Sequence, residues 1–171
     1  VRELRSSLPH LRHVVCCGGE DDLTEEVLRF EDVMTCGGTG LADIASVDPD
    51  DTKVVLYTSG TTGNPKAVRH SHNTLAKAMD NGVIAWGLDE RDMMLMPSPV
   101  THVTGYVNGI ELPFFTNTKV LLMESWVVSR AVELIETHHA TTCVSATPFL
   151  RELVDACREQ DEDLPSFRLF A

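Results

Sequence analysis

Positive charge and long apolar runs are both scarce in this sequence of 171 residues. Lys and Arg together number 14 against 26 Asp and Glu, so the formal net charge is -12 at pH 7. This charge repels a polyanion, and no stripe of basic residues offsets it locally, so we expect no nucleic-acid partner. No apolar run approaches the roughly 20 residues that a bilayer span requires, so we also predict no membrane span.

Paired cysteines are lacking too. The five cysteines form neither a CxxC pair nor a zinc spacing with histidine, and the adjacent Cys16 and Cys17 are poorly suited to an ordinary disulfide. We interpret them as free or buried thiols in a reducing compartment and expect a cytoplasmic location. The sequence has no initiator Met and no signal-peptide h-region, and it ends directly after an apolar run, so we expect both ends to be cuts through a longer protein.

The first fifty residues carry weak signals for regular structure. Residues 14–17 form a short apolar run closed by two glycines, which predicts a strand. Residues 23–34 mix acidic residues with spaced apolar ones and predict a short helix. Residues 35–51 are rich in glycine and aspartate, which is typical of a connector. We expect residues 1–52 to be the preceding strand, helix and connector of one globular unit.

From Lys53 onward, strand patterns alternate with helical patterns of roughly a dozen residues. Apolar or β-branched runs predict strands at 54–57, 67–70, 93–96, 119–123, 142–146 and 164–170. We expect the strand at 54–57 to be buried. Helical spacing predicts helices after the N-cap Ser71, over 102–115, over 129–138 and from Thr147 with Pro148 in its first turn. This alternation predicts an α/β fold, a mostly parallel sheet with helices on both faces. In such a sheet the loops at 58 onward, 97–102 and 146–148 should converge.

The run YTSGTTGNPK at residues 57–66 is the strongest chemical signal. Gly60 and Gly63 allow successive backbone N–H groups to face one concavity, the threonines and serine add hydroxyl donors, and Lys66 adds positive charge. These groups suit an anion. The spacing differs from the GxxxxGK[ST] loop, and a plain Ser/Thr/Gly turn has the same composition.

The same run resembles the phosphate-loop signature of the adenylate-forming superfamily, which includes AMP-forming acyl-CoA synthetases. The resemblance implies one partial AMP-binding domain over residues 1–171 with its C-terminal domain absent, in which Lys66 is catalytic. Ala67 stands where the family usually has glycine. The residues implied in binding the phosphates of ATP are Thr58, Ser59, Gly60, Thr61, Thr62, Gly63 and Lys66, and Thr58 is also the implied Mg²⁺ ligand.

Two further stretches resemble the same family in the same order. Residues 96–105, MPSPVTHVTG, are similar to its second core motif, which implies a catalytic and substrate-binding role for His102. A histidine at the start of a helix is as often a capping or packing residue, so this alternative stays open. Val103 and Gly105 in this motif are implied to contact the acyl group. Residues 146–150, ATPFL, are similar to the turn that borders the carboxylate pocket and implicate Thr147. The segments that bind adenine and ribose, and the second catalytic lysine, would lie beyond residue 171.

The resemblance implies an acid–thiol ligase that uses ATP, Mg²⁺ and CoA to activate a fatty, alicyclic or aryl acid as acyl-AMP. This chain by itself is expected to be inactive. Two alternatives stay open: an adenylation domain that loads a carrier protein, and a non-catalytic nucleotide-binding or self-associating module, which includes a possible homodimer. His70 and His72 form an HxH pair, but without a third nearby ligand we interpret them as solvated side chains.

Overall fold

The computed structural model describes residues 7–18, 27–37, 44–58, 63–161 and 163–171. The chain divides into two compact units, Val1–Ser46 and Val47–Ala171. The organisation of residues 1–171 as one partial domain stays a prediction.

The first unit contains two short parallel strands and one helix among its described residues. Strand β1 (Val14–Cys16) pairs with β2 (Val27–Arg29), with Val14 opposite Val27, and helix α1 (Phe30–Thr35) follows directly. The strand predicted at 14–17 is therefore confirmed. The helix predicted over 23–34 is wrong at Val27–Arg29, because a short apolar run fits either period and pairing with β1 decides the outcome.

An antiparallel hairpin opens the second unit. Its strands are β3 (Thr52–Thr58) and β4 (Lys66–Ser71), and Thr58 lies directly opposite Lys66. The prediction of a strand–loop–strand is confirmed, but the prediction that residues 54–57 are buried is wrong. Tyr57 is 73% exposed and Val55 is 42% exposed, because β3 and β4 pair with each other and not with the larger sheet within the described part of the chain.

Helix α2 (His72–Trp86) begins and ends where the sequence predicts. The Ser71 and Thr74 side chains cap each other's backbone N–H groups, which satisfies two donors at the helix start. Gly87 ends the helix with φ 58°, a left-handed conformation that glycine adopts without a steric cost.

A four-stranded sheet, parallel throughout, forms the centre of the second unit. Its strands are β5 (Met93–Met96), β6 (Lys119–Leu122), β7 (Thr142–Cys143) and β8 (Leu169–Phe170), in the order β6-β5-β7-β8. The last two strands are shorter than predicted. Before β8, the Phe167 N–H donates to the Leu164 carbonyl at 2.9 Å, and this turn keeps the start of the predicted strand out of the sheet.

Helices cover both faces of this sheet, as predicted. A continuous helical segment runs through α3 (Val103–Tyr106), a π-helical turn (Val107–Glu111) and α4 (Leu112–Thr116), and two further helices are α5 (Val128–His138) and α6 (Thr147–Gln160). Leu95 packs in a core cluster with residues of α5 and α6. Its neighbours Met94 and Met96 pack in a second cluster with Met79 of α2 and Leu112 of α4, as alternation along a strand requires.

A buried polar network lies at the amino ends of the strands. Asp92, only 5% exposed, precedes β5 and accepts hydrogen bonds from Arg168 Nη2 at 2.7 Å, Arg168 Nε at 3.0 Å and Thr141 Oγ1 at 2.6 Å. Arg168 Nη2 also donates to the Gly87 carbonyl at 2.9 Å, at the end of α2. The network therefore connects three strands to a helix.

The cysteines agree with the prediction of thiols. All five lie in described residues and none forms a disulfide. Burial raises the pKa of the Cys143 thiol to about 12, which keeps it protonated. No helix in the described ranges has the length and apolar character needed to cross a membrane.

Candidate functional site

The loops that follow β5 and β7 meet at the carboxyl edge of the parallel sheet. Ser98 follows β5, Ser145 follows β7, and their Oγ atoms lie 2.7 Å apart in a hydrogen bond. Ser98 is buried, whereas the nearby His102 and Thr147 are exposed. At this edge, the hydrogen-bonded pair of Ser98 and Ser145 lies next to side chains that solvent or a ligand can reach. The carboxyl edge of a parallel sheet is the usual place for a binding site.

His102 is the N-cap of the helical segment that begins at Val103. Its Nδ1 accepts a hydrogen bond from the Thr104 N–H at 3.2 Å, and its own N–H donates to the Pro99 carbonyl at 2.9 Å. A ring whose Nδ1 accepts carries its proton on Nε2 when neutral. The sequence left capping and function as alternatives for His102. The structure shows the cap, and the exposed ring retains one nitrogen for a ligand.

Gly105 allows the helical segment to lie against the loop after β5. A Cβ atom at this position would lie 2.5 Å from the Ser98 carbonyl oxygen and nearer still to the Pro99 carbonyl oxygen. These are backbone atoms that cannot easily move, so only glycine fits. Gly105 thereby fixes the start of the helix, including His102, against the edge of the sheet.

Val103 and Thr147 occupy the first positions of α3 and α6. Val103 is 40% exposed, and Thr147 is also exposed. Both follow loops at the same edge of the sheet, so the predicted substrate-binding residues Val103, Gly105 and Thr147 belong to one region. Gly105 is buried, however, and can reach a ligand only through its backbone.

The predicted phosphate loop joins the two strands of the hairpin. Ser59, Gly60, Thr61 and Thr62 lie outside the described residues. At the base of the loop, Thr58 and Lys66 form opposing positions of the antiparallel pair, and both are exposed. Gly63 has φ 92°, a conformation that favours glycine, so the predicted need for glycine holds at this position.

A half-buried cluster joins the hairpin to the helical segment. Lys53 Nζ of β3 lies 2.5 Å from Glu111 Oε2, and Tyr106 Oη donates to Glu111 Oε1 at 2.5 Å. Burial raises the pKa of the Glu111 carboxyl, but the hydrogen bonds from Lys53 and Tyr106, with the charges of Lys53 and His72, lower it further and leave it below its ordinary value. The same contact with Glu111 raises the pKa of Tyr106 to about 12.

The loop after β6 is attached to the first turns of α6. The Trp126 indole N–H donates to Glu152 Oε2 at 2.7 Å, and the Trp126 ring meets the Phe149 ring edge to face with centroids 4.9 Å apart. Aromatic pairs in this geometry are stabilising beyond their buried area. These contacts of Trp126 hold the start of α6 against the loop that follows β6.

Several residues of this region did not stand out in the sequence. Glu111 had a readable signal, since it is the only charged residue between positions 103 and 115. Ser145 and Lys53 had none, because a serine after a strand and a lysine at the start of one are common on protein surfaces. Their roles depend on partners more than 45 residues away in the sequence.

Comparison with known proteins defines the family. The model of the AMP-binding enzyme family matches residues 1–171, so the chain belongs to the AMP-binding enzyme family. The medium-chain fatty-acid–CoA ligase of Escherichia coli (strain K12) is 29% identical over 168 residues, which is 98% of this chain and 29% of that protein. The acetyl-coenzyme A synthetase of Bacillus subtilis (strain 168) is 32% identical over 125 residues, 70% of this chain and 22% of that protein.

Solved structures share the fold. The anthranilate CoA ligase AuaEII in complex with anthranoyl-AMP has a TM-score of 0.82 and 26% identity, covering 99% of this chain and 33% of that chain. The α/β prediction and the resemblance to adenylate-forming enzymes are therefore confirmed. The chain spans about one third or less of the length of each of these three proteins.

Proposed function

We propose that the protein to which this chain belongs is an ATP-dependent acid–thiol ligase. It joins a carboxylate to the α-phosphorus of ATP with release of pyrophosphate, and then transfers the acyl group from AMP to the thiol of CoA. The observation that carries this proposal is the glycine and hydroxyl sequence of residues 57–66, bounded by the exposed and directly opposed Thr58 and Lys66, in a chain whose full length matches the AMP-binding enzyme family. The chain by itself is proposed to be inactive.

The hairpin loop is the proposed holder of the ATP phosphates. Lys66 supplies a positive charge beside the departing pyrophosphate, which stabilises the charge that develops as the bond to the α-phosphorus breaks. The proposed loop donors are Thr58, Ser59, Gly60, Thr61, Thr62 and Gly63. The exposure of Thr58 and Lys66 on opposing strand positions supports this assignment.

Thr58 is also the proposed Mg²⁺ ligand. Mg²⁺ prefers oxygen ligands in octahedral geometry and commonly takes several of them from substrate phosphates and water, so a single hydroxyl fits as one ligand among these. Mg²⁺ would neutralise part of the phosphate charge. In the described part of the chain no cluster of three or more acidic, His or Cys side chains is arranged for a metal ion.

The carboxyl edge of the sheet is the proposed acid site. His102 would contact the acyl and adenylate groups through the nitrogen that its capping bond leaves available, and Val103, Gly105 and Thr147 would border the acyl group. The proposed substrates are fatty, alicyclic or aryl acids. Similar proteins are named for a medium-chain fatty acid and for anthranilate, an aryl acid, which supports this range.

CoA is the proposed thiol rather than a carrier protein, because the similar proteins reported above are named as CoA ligases or synthetases. The same names disfavour a purely binding module. A cytoplasmic location and a possible homodimer stay predictions.

Carboxylate-dependent exchange between ATP and pyrophosphate tests the proposal. The complete protein should catalyse exchange with one class in a panel of fatty, alicyclic and aryl acids. Lys66→Ala should lower kcat/KM by about 100-fold or more, because a lost charge contact to a transition state costs at least that much. Lys77→Ala removes an exposed lysine of α2 that pairs with Asp80 and is the matched control.

Equal exchange rates in the Lys66→Ala and Lys77→Ala variants would contradict the role of Lys66. Absence of exchange with every acid, in a folded protein that binds ATP, would overturn the ligase and favour the binding module. If the protein catalyses exchange and loads a phosphopantetheine carrier but forms no acyl-CoA, the thiol acceptor is a carrier protein and not CoA.

A further inference from the structure

Glu111 is a half-buried carboxylate in an otherwise uncharged helical segment. Its side chain is 15% exposed and that of Lys53 is 27% exposed, so their 2.5 Å ion pair is partly shielded from water. The Tyr106 hydroxyl donates a hydrogen bond to the second carboxylate oxygen of Glu111. Charged groups removed from water require such partners, and hydrogen bonds to charged groups are stronger and shorter than neutral ones.

The three side chains connect the two parts of the proposed site. Lys53 belongs to β3, the strand that ends at Thr58, where the phosphate loop begins. Tyr106 lies one turn beyond His102, and the Tyr106 N–H donates to the His102 carbonyl at 2.8 Å. Glu111 therefore binds the hairpin that holds ATP and the helical turn that His102 begins.

Other polar contacts of the hairpin base stay within its own neighbourhood. Arg69 of β4 donates to the Thr52 hydroxyl of β3, and Asn73 donates to Asp50 Oδ1 at 2.7 Å. These bonds shape the hairpin and the start of α2 but do not reach the helical segment. The ion pair between Lys53 and Glu111, in contrast, connects the hairpin to the helical segment.

We propose that Glu111 is a positioning residue, which through Lys53 and Tyr106 sets the distance between the phosphate-loop hairpin and the acid site at His102. This inference rests on the proposed function. ATP binds locally to the hairpin and the acid binds locally to the carboxyl edge, so each substrate binds without help from Glu111. Reaction between them requires both groups in one geometry, and a misplacement of about 1 Å can cost about 100-fold in rate.

Steady-state kinetics of a Glu111→Gln variant of the complete protein test this role. We expect kcat to fall by about 10-fold or more, while KM for ATP and for the acid each change by less than about threefold. Glu133→Gln, which removes an exposed pair with Arg130 at 2.5 Å on α5, is the matched control and should retain the wild-type kcat. A purely structural role would lower the melting temperature and leave the kcat of the folded enzyme unchanged.

Reversal of the pair gives a second kinetic test. The double variant Lys53→Glu with Glu111→Lys keeps an ion pair at this position. Its kcat should be at least about fivefold higher than that of the single variant Lys53→Glu or the single variant Glu111→Lys. A kcat for Glu111→Gln within about twofold of wild type, or no recovery in the double variant, would overturn the proposal.

Hydrogen exchange separates this proposal from the proposed function. In the complete protein, Glu111→Gln should accelerate amide exchange across residues 52–58 and 66–71 relative to Glu133→Gln. If the wild type shows no pyrophosphate exchange with any acid, the ligase proposal fails, and hydrogen exchange still decides whether Glu111 holds the hairpin. Unchanged amide exchange would show that it does not.

Discussion

The two edges of the parallel sheet differ in the polar contacts that their side chains make. At the amino edge, the Asp92 carboxylate is buried and accepts hydrogen bonds from Arg168, Thr141 and the Asp89 N–H. At the carboxyl edge, Ser98 and Ser145 are hydrogen-bonded to each other, whereas the side chains of His102, Val103 and Thr147 are exposed.

If the carboxyl edge binds the acid as proposed, this difference separates residues that stabilise the sheet from residues that bind substrate. A satisfied buried network has few alternative geometries, so the amino edge holds β5, β7 and β8 in register. An edge that binds substrates must leave donors and acceptors uncommitted. We therefore expect substitutions at the amino edge to lower stability and substitutions at the carboxyl edge to alter activity more than stability.

Removal of the Asp92 charge should have the largest effect on stability. Asp92→Asn removes the charge that Arg168 and Thr141 reach with three hydrogen bonds at a site that is only 5% exposed, and we expect a loss of about 3 kcal/mol in the free energy of unfolding, measured by denaturant titration. KM values of the folded enzyme should stay unchanged. Asp155→Asn, which breaks only exposed ion pairs with Arg151 and Arg158 on α6, should change stability by about 0.5 kcal/mol or less.

The pH dependence of the same variant sharpens the test. Burial raises the pKa of Asp92, but hydrogen bonds from Arg168 and Thr141 lower it further, so it lies below its ordinary value of 3.8 in the folded state. A depressed pKa stabilises the fold above pH 3.8, and this contribution is lost as pH falls through the folded-state pKa. The stability difference between wild type and Asp92→Asn should therefore narrow below about pH 4. A constant difference would show that the Asp92 charge contributes nothing.

A smaller effect is expected from a substitution at the carboxyl edge. Gly105→Ala forces a methyl group into the Ser98 and Pro99 carbonyls, and overpacking of this kind costs about 2 kcal/mol. Because the shift moves His102, kcat/KM for the acid should fall more than stability alone explains. Gly82→Ala on α2 meets the movable Trp86 ring instead of backbone and is the control. Equal losses of stability and of kcat/KM in the two variants would show that Gly105 has no special role in placing His102.

The smallest expected effect concerns the hydroxyl pair. Ser145→Ala leaves Ser98 without its partner and should cost about 1 kcal/mol in the free energy of unfolding. The double variant with Ser98→Ala removes both polar groups, so its cost should be less than the sum of the two single costs. Additive costs would indicate that the two hydroxyls act independently.

Local patterns in the sequence predicted most of the second unit. Ser71 and Gly87 bound α2 because a cap and a left-handed glycine act within a few residues. The sequence also predicted a helix beginning at about His102, which is the N-cap of the helix that begins at Val103. The errors fall where local signals are ambiguous: Val27–Arg29 reads as helix until it pairs with β1, and 54–57 reads as buried although no further strand covers it among the described residues.

The composition of residues 57–66 predicts an anion site, and that site stays a prediction. The resemblance of the same run to adenylate-forming enzymes agrees with the family match. The contacts that hold the hairpin beside the helical segment were not predictable from the sequence. Glu111 reads as one acidic residue on a helix until Lys53, 58 positions earlier, is placed beside it.

The sequence by itself determined the alternation of strands and helices, the helix caps and the glycine and hydroxyl loop, because each depends on residues close together in the chain. The tertiary structure alone decided which face of β5 meets which helices, how Asp92 meets Arg168, and how Lys53 meets Glu111. These contacts join residues far apart in the sequence, and their energy depends on burial and distance, which exist only once the chain has folded.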